Sequence, residues 1–93
     1  MVVDERDIER KLVAAAESVG GMCIKLDATT KKGIQDRLVL LPGGRVYFVE
    51  LKRPSGGKMS VLQKVRQRQI ARLGFPAVQV SNEEQLYTLT REW

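Results

Sequence analysis

Asp36, Glu50 and Lys52 are the residues of this chain whose types and spacing could do chemistry together. They lie on two strand-like runs, 36–41 and 45–52, joined by Pro42-Gly43-Gly44. Side chains alternate faces along a strand, so Glu50 and Lys52 share one face and Leu51 takes the other. A three-residue loop pairs Leu41 with Arg45 and sets Asp36 opposite Glu50, where same-face Cβ atoms are about 4.5–5.5 Å apart. Two carboxylates that close repel each other unless a cation sits between them, and a lysine on the same face adds a fixed positive charge. Such a layout suits metal-assisted hydrolysis of a phosphodiester. A loop of two or four residues would shift the pairing by one and send the carboxylates to opposite faces. Gly43 or Gly44 can supply the positive φ that a three-residue loop usually needs. By spacing alone, the same residues also read as an exposed acidic strand start and an ordinary Glu–Lys surface pair.

Composition narrows the choice. Ninety-three residues make one small domain, spanning 1–93. A chain this short buries only about 60–65% of its unfolded surface, so association into a dimer would add stability. Sixteen Lys and Arg against 11 Asp and Glu give a net charge of +5, which favours a polyanionic partner such as nucleic acid. The single cysteine, Cys23, excludes a disulfide within the chain and fits a reducing compartment; its apolar surroundings read as those of a buried structural thiol. There is no histidine. That removes Ser-His and Cys-His catalysis, histidine-dependent nucleases and nearly all zinc sites. Hydrolysis here must rest on carboxylates, lysine and metal-activated water. Asp4, Glu5, Asp7 and Glu9 make the N-terminus unlike a signal peptide, and no apolar run approaches the roughly 18–20 residues of a membrane span. A soluble, cytoplasmic protein is expected, with no membrane partner and no nucleotide cofactor.

The elements that must position the three residues follow from periodicity. Residues 5–19 read as a helix with Ile8, Leu12, Ala15, Ala16 and Val19 at helical spacing, Asp4 as N-cap and Gly20-Gly21 as the stop. Residues 22–26 form a short strand candidate, followed by a polar, basic loop to Gly33 and then the hairpin. Residues 60–73 read as a second helix, with Val61, Leu62, Val65, Ile70 and Leu73 as its apolar positions. A strand over 77–80 and a closing helix from 83 to about 91 complete the chain. Ser60-x-x-Gln63 and Ser81-x-x-Glu84 are capping boxes that mark two helix starts. The order is α-β-β-β-α-β-α, an α/β fold with a mixed sheet flanked by helices.

These residues match a family pattern. Lys32-Gly33-Ile34-Gln35-Asp36, then Val49-Glu50-Leu51-Lys52-Arg53-Pro54, then Gly57-Lys58-Met59-Ser60-Val61-Leu62-Gln63 strongly resemble the VRR-NUC (virus-type replication-repair nuclease) domain of the PD-(D/E)XK superfamily. The resemblance runs on through Leu73-Gly74 and the strand at 77–80, so it covers essentially the whole chain. It implies a restriction-endonuclease-like core. It also implies that Asp36 and Glu50 are the metal-binding carboxylates, Lys52 the catalytic lysine and Gln63 the motif glutamine opening the following helix. Glu9 occupies the place of a first-helix glutamate that often completes such sites; a salt-bridged surface glutamate is the other reading. Gln35 departs from the family, which usually has proline before the aspartate; that proline shapes the backbone and does no chemistry. Stand-alone members, mostly phage and bacterial, are similar to Holliday-junction resolvases and act as homodimers. Members fused to larger repair proteins process flaps and other branched DNA.

The expected function is therefore hydrolysis of phosphodiesters in branched DNA by an endonuclease. Mg²⁺ or Mn²⁺ would be bound by Asp36, Glu50 and the backbone carbonyl of Leu51, as hard cations prefer oxygen ligands. Lys52 would orient the attacking water and stabilise charge in the transition state. Lys31, Lys32, Arg37, Arg53 and Lys58, read as loop residues flanking the site, are the expected phosphate contacts, whereas Lys64 and Arg72 read as a solvated helix face. With five aromatics in the chain, and Tyr47 and Phe48 on a strand expected to be buried, recognition should be by DNA shape more than base stacking. A flap or nicking nuclease, a non-catalytic nucleic-acid-binding module and a structural subunit of a larger assembly are the alternatives.

Overall fold

The computed structural model describes residues 5–27, 32–52 and 59–93. Its elements are α1 (Glu5–Ser18), β1 (Met22–Lys25), β2 (Arg37–Leu41), β3 (Arg45–Leu51), α2 (Val61–Arg72), β4 (Ala77–Val80) and α3 (Glu83–Thr90). The order is the one the periodicity predicts. The four strands form one mixed sheet in the order β1-β2-β3-β4, antiparallel except for the parallel pair β3–β4. A parallel pair needs a crossover connection, and α2 supplies it.

Helix α1 lies across β1, β2 and β3 and against α3, while α2 packs on β4. Ile8, Leu12 and Ala16 of α1 are fully buried against Val39, Leu41, Val49 and Leu51, with Val80 and Leu86 closing the core. Burying a side chain of this size stabilises the fold by about 1.5–3 kcal/mol relative to leaving it exposed. The odd-numbered residues of β2 and β3 thus face α1, which leaves Asp36, Glu50 and Lys52 to the opposite face.

The turn decides the register. Leu41 pairs with Arg45, Val39 with Tyr47 and Arg37 with Val49, so one further step sets Asp36 opposite Glu50. Gly43 (φ 84°) and Gly44 (φ 76°) supply the left-handed backbone that closes the three-residue loop, and a Cβ at either would meet nothing within 4 Å.

Two local expectations are corrected. Helix α3 is capped by Asn82, one residue beyond Ser81: the Asn82 side chain accepts from the Gln85 N–H at 2.8 Å, and the Ser81 N–H donates to Gln85 Oε1 at 2.7 Å. Asparagine caps at least as well as serine, and the adjacent Asn-x-x-Gln frame wins. In α2 only Ile70 is buried among the expected apolar positions; Val61 is 80% and Leu73 75% exposed. This helix rests on a single edge strand, so one narrow stripe suffices. Tyr47 and Phe48 are half-buried, Tyr47 against Trp93 (ring centroids 5.4 Å apart) and Phe48 edge-on to Phe75 (6.2 Å). The expected N-cap Asp4 lies outside the described residues.

Candidate active site

The mouth of the β2–β3 hairpin continues beyond the last ladder pair through side chains. The Asp36 N–H donates to Glu50 Oε1, and the Leu51 N–H donates to Asp36 Oδ1, both at 3.2 Å. Each carboxylate is therefore oriented by the other's strand. Lys52 Nζ lies 3.2 Å from Glu50 Oε2. The three residues singled out by spacing are together, and the three-residue loop is what brings them there.

Gln63 joins them. Ser60 caps α2 as the sequence predicts: its hydroxyl accepts from the Gln63 N–H at 3.1 Å, while Gln63 Oε1 accepts from the Ser60 N–H at 2.9 Å. Gln63 also lines the same cavity as Glu50 and acts to lower its carboxyl pKa. Gln63 thus serves the cap and the site together. The loop before Asp36 is held close to α2: a Cβ on Gly33 (φ 81°) would lie 2.5 Å from Leu62 Cγ and 2.9 Å from its carbonyl oxygen, so no other residue fits there. Arg66 Nε ties the same loop down by donating to the Lys32 carbonyl at 3.0 Å.

Burial and charge act on the pair in one direction. Burial pushes the Asp36 carboxyl up from its ordinary pKa, against the Leu51 N–H and the charges of Arg37 and Lys52. Glu50 is also pushed up, first by burial and then by the Asp36 charge, with Lys52 and Gln63 opposing. Two acids that resist ionising side by side form a site that gains from an added cation.

The carboxylates line a cavity of about 670 Å³, together with Lys25, Asp27, Lys32, Gln35 and Gln63. Lys32 is placed on the cavity wall, as expected of a flanking loop. Lys31, Arg53 and Lys58 lie outside the described residues. Arg37 is not a loop residue: it opens β2 with its side chain only 5% exposed, pairing with Glu9 Oε2 at 2.9 Å and Asp36 Oδ2 at 3.1 Å. The parity that sends Asp36 to one face sends Arg37 to the other, under α1, so it is not an exposed phosphate contact. Glu9 pairs with Arg37, the contact that the salt-bridged reading expects of it. Cys23, expected to be buried, is half-buried against the core, and burial pushes its thiol up from its ordinary pKa.

Sequence reasoning missed Lys25 and Asp27 as lining residues, and it treated Gln35 as a neutral departure. Gln35 is fully buried on the cavity wall, and neither polar atom of its amide has a hydrogen-bond partner among the described residues. An unpaired buried polar group costs about 1–3 kcal/mol. Gln35→Met, similar in volume and without the amide, should therefore stabilise the protein by about 1–2 kcal/mol in urea denaturation. A loss of stability would show that the amide is satisfied in solution.

The donor set suits a hard divalent cation. It is made of oxygen: two carboxylates and the nearby Leu51 backbone. Among the described residues no group of three or more His, Cys, Asp or Glu side chains could hold a metal. Mg²⁺ fits such a site because it keeps several of its waters and takes only one or two carboxylates.

Comparison with known proteins agrees with this geometry. No family model matches the chain. A protein of Acyrthosiphon pisum secondary endosymbiont phage 1, named "Putative nuclease p44", is 31% identical over 83 residues, covering 89% of this chain and 88% of the relative. A solved VRR-NUC domain superposes with a TM-score of 0.85 at 26% identity, covering 96% of each chain. The fold is thus held in common across nearly the full length. This chain belongs to the VRR-NUC family of nucleases.

Proposed function

We propose that this protein is a metal-dependent, structure-selective DNA endonuclease that hydrolyses phosphodiester bonds in branched DNA, and that it acts as a Holliday-junction resolvase. The observation carrying this reading is the reciprocal Asp36–Glu50 pair with Lys52 beside it, on the wall of a cavity in a basic chain. Asp36, Glu50 and the Leu51 carbonyl would hold Mg²⁺ or Mn²⁺, which when bound supplies an acidified water and neutralises charge on the scissile phosphate. Lys52 orients the attacking water and stabilises the charge that develops on the phosphate as water is excluded. Gln63 fixes Glu50 while capping α2. Lys32 contacts the DNA backbone at the cavity, and Lys31, Arg53 and Lys58, adjacent in sequence, do the same; such contacts position DNA without reading its sequence.

The protein acts as a homodimer in the cytoplasm. Its small core leaves Met22, Val61, Leu73 and Tyr87 more than half exposed, apolar surface that association would cover. A two-fold dimer presents two sites to two strands, as a symmetric junction requires. Among the described residues no helix is long and apolar enough to cross a membrane.

The test is cleavage of a labelled four-way junction in Mg²⁺ or Mn²⁺, beside a linear duplex and a Glu50→Ala control. Paired, symmetric nicks that disappear in EDTA and in the variant are expected. Cleavage of flaps alone would replace the resolvase reading with a flap nuclease. Intact junction binding with no cleavage of any substrate would leave a binding module.

A further inference from the structure

The buried polar residues of the described structure are Gln35, Arg37 and Glu50, and all three sit at the hairpin mouth. Arg37 is the charged one that the proposed chemistry does not use. Its two terminal nitrogens are spent on acids from different elements: Nη2 on Glu9 of α1 at 2.9 Å, and Nη1 on Asp36 Oδ2 at 3.1 Å and on the Asp36 carbonyl, also at 3.1 Å. The guanidinium therefore stands between two carboxylates that would otherwise face each other across the α1–β2 contact. With its side chain only 5% exposed it cannot swing into solvent, and a guanidinium does not lose its proton in a protein. It is a permanent, fixed cation. Removing one partner of such a buried pair leaves an uncompensated charge, which is what holds the arrangement together.

We propose that Arg37 is the second cation of this nuclease: it fills the position between Glu9 and Asp36 that a second divalent ion would take, so the site binds one metal ion, held on the Glu50 side of Asp36. The inference rests on the metal-dependent reading above and makes it more specific. The carboxylate oxygens divide accordingly. Oδ2 of Asp36 faces Arg37, whereas Oδ1 faces β3 and the Glu50 side. Glu9 is then a positioning residue, acting through Arg37 and not as a ligand.

Mn²⁺ titration followed by electron paramagnetic resonance and calorimetry tests this, with circular dichroism to verify folding. Wild type should bind one ion per chain. Arg37→Lys, which keeps a cation between the acids, should also bind one. Arg37→Met should open the Glu9–Asp36 position and bind two, and Glu9→Gln/Arg37→Met should return to one. Two ions in wild type would overturn the proposal, as would one ion in a folded Arg37→Met. Should Arg37→Met fail to fold, Glu9→Gln alone carries the test: retention of the single ion supports the assignment, and its loss overturns it by making Glu9 a ligand. No Mn²⁺ binding by wild type would overturn this inference together with the metal-dependent reading, an outcome distinct from binding of two ions.

Discussion

Glu50→Gln should abolish cleavage and leave the metal-free protein more stable than wild type. The catalytic loss follows from removing half of the charged ligands proposed for the cation: a divalent ion contributes several kcal/mol of transition-state stabilisation, and at 1.36 kcal/mol per decade that is about a thousandfold in rate. The stability gain follows from linkage. Burial and the Asp36 charge raise the Glu50 carboxyl above its unfolded pKa, so the folded state holds that proton more tightly than the unfolded chain. Stability contributed by the protonated group is then present at acid pH and lost as pH rises through the raised pKa. At neutral pH the ionised Glu50 weighs against folding, and an amide of the same shape does not. Thermal melts without metal should therefore show Glu50→Gln above wild type at pH 7, with the gap closing towards pH 3–4 as Glu50 protonates in both states. Saturating Mn²⁺ should reverse the order: an ion at about a hundred times its Kd stabilises wild type by about 2.7 kcal/mol and does much less for the variant. A lower melting temperature for the metal-free variant at pH 7 would show that the Glu50 charge supports the fold.

Lys52→Ala should be the mirror case, catalytically crippled with its metal site intact. Lys52 Nζ sits 3.2 Å from Glu50 Oε2 and bears on the charge of both carboxylates. Losing one preorganised charge aimed at a transition state costs about a hundred- to a thousandfold in rate. Metal affinity should hold or rise, since a positive charge beside the proposed ion has gone, and junction Kd should stay within a few fold at fixed salt because the backbone contacts are proposed for other cations. Lys52 also lowers the Glu50 pKa, so the pH dependence of metal binding should move to higher pH in the variant. Single-turnover cleavage near the wild-type rate would remove Lys52 from the chemistry.

The site is legible in the sequence to the extent that discrete choices govern it. Loop length is an integer, and three residues with glycines at the left-handed positions leave one register, so the opposition of Asp36 and Glu50 follows from residue spacing. The Ser60–Gln63 cap is legible for the same reason: its spacing defines it. Arg37 is not. Strand parity alone turns it away from Asp36's face, but what it meets there depends on how α1 crosses the sheet, a long-range matter invisible in local spacing. Gln35 escapes because a position just before a strand gives no parity signal, so nothing marks it as fully buried. In α2 the apolar residues are real, but how many of them the fold covers depends on the width of the sheet beneath.

The hydrogen bonds that set Asp36 and Glu50 against each other span 14 and 15 residues of sequence, and every ligand atom assigned to the ion lies between residues 36 and 51. Closing so short a loop costs little chain entropy, and hairpins of this kind form in about 1–10 μs. The ligand geometry thus belongs to the most local part of the topology, ahead of the helix docking that requires distant segments to meet. In the nascent chain the cation-binding constellation can assemble before the protein around it has finished folding, and an ion captured then would act as a nucleus for the rest.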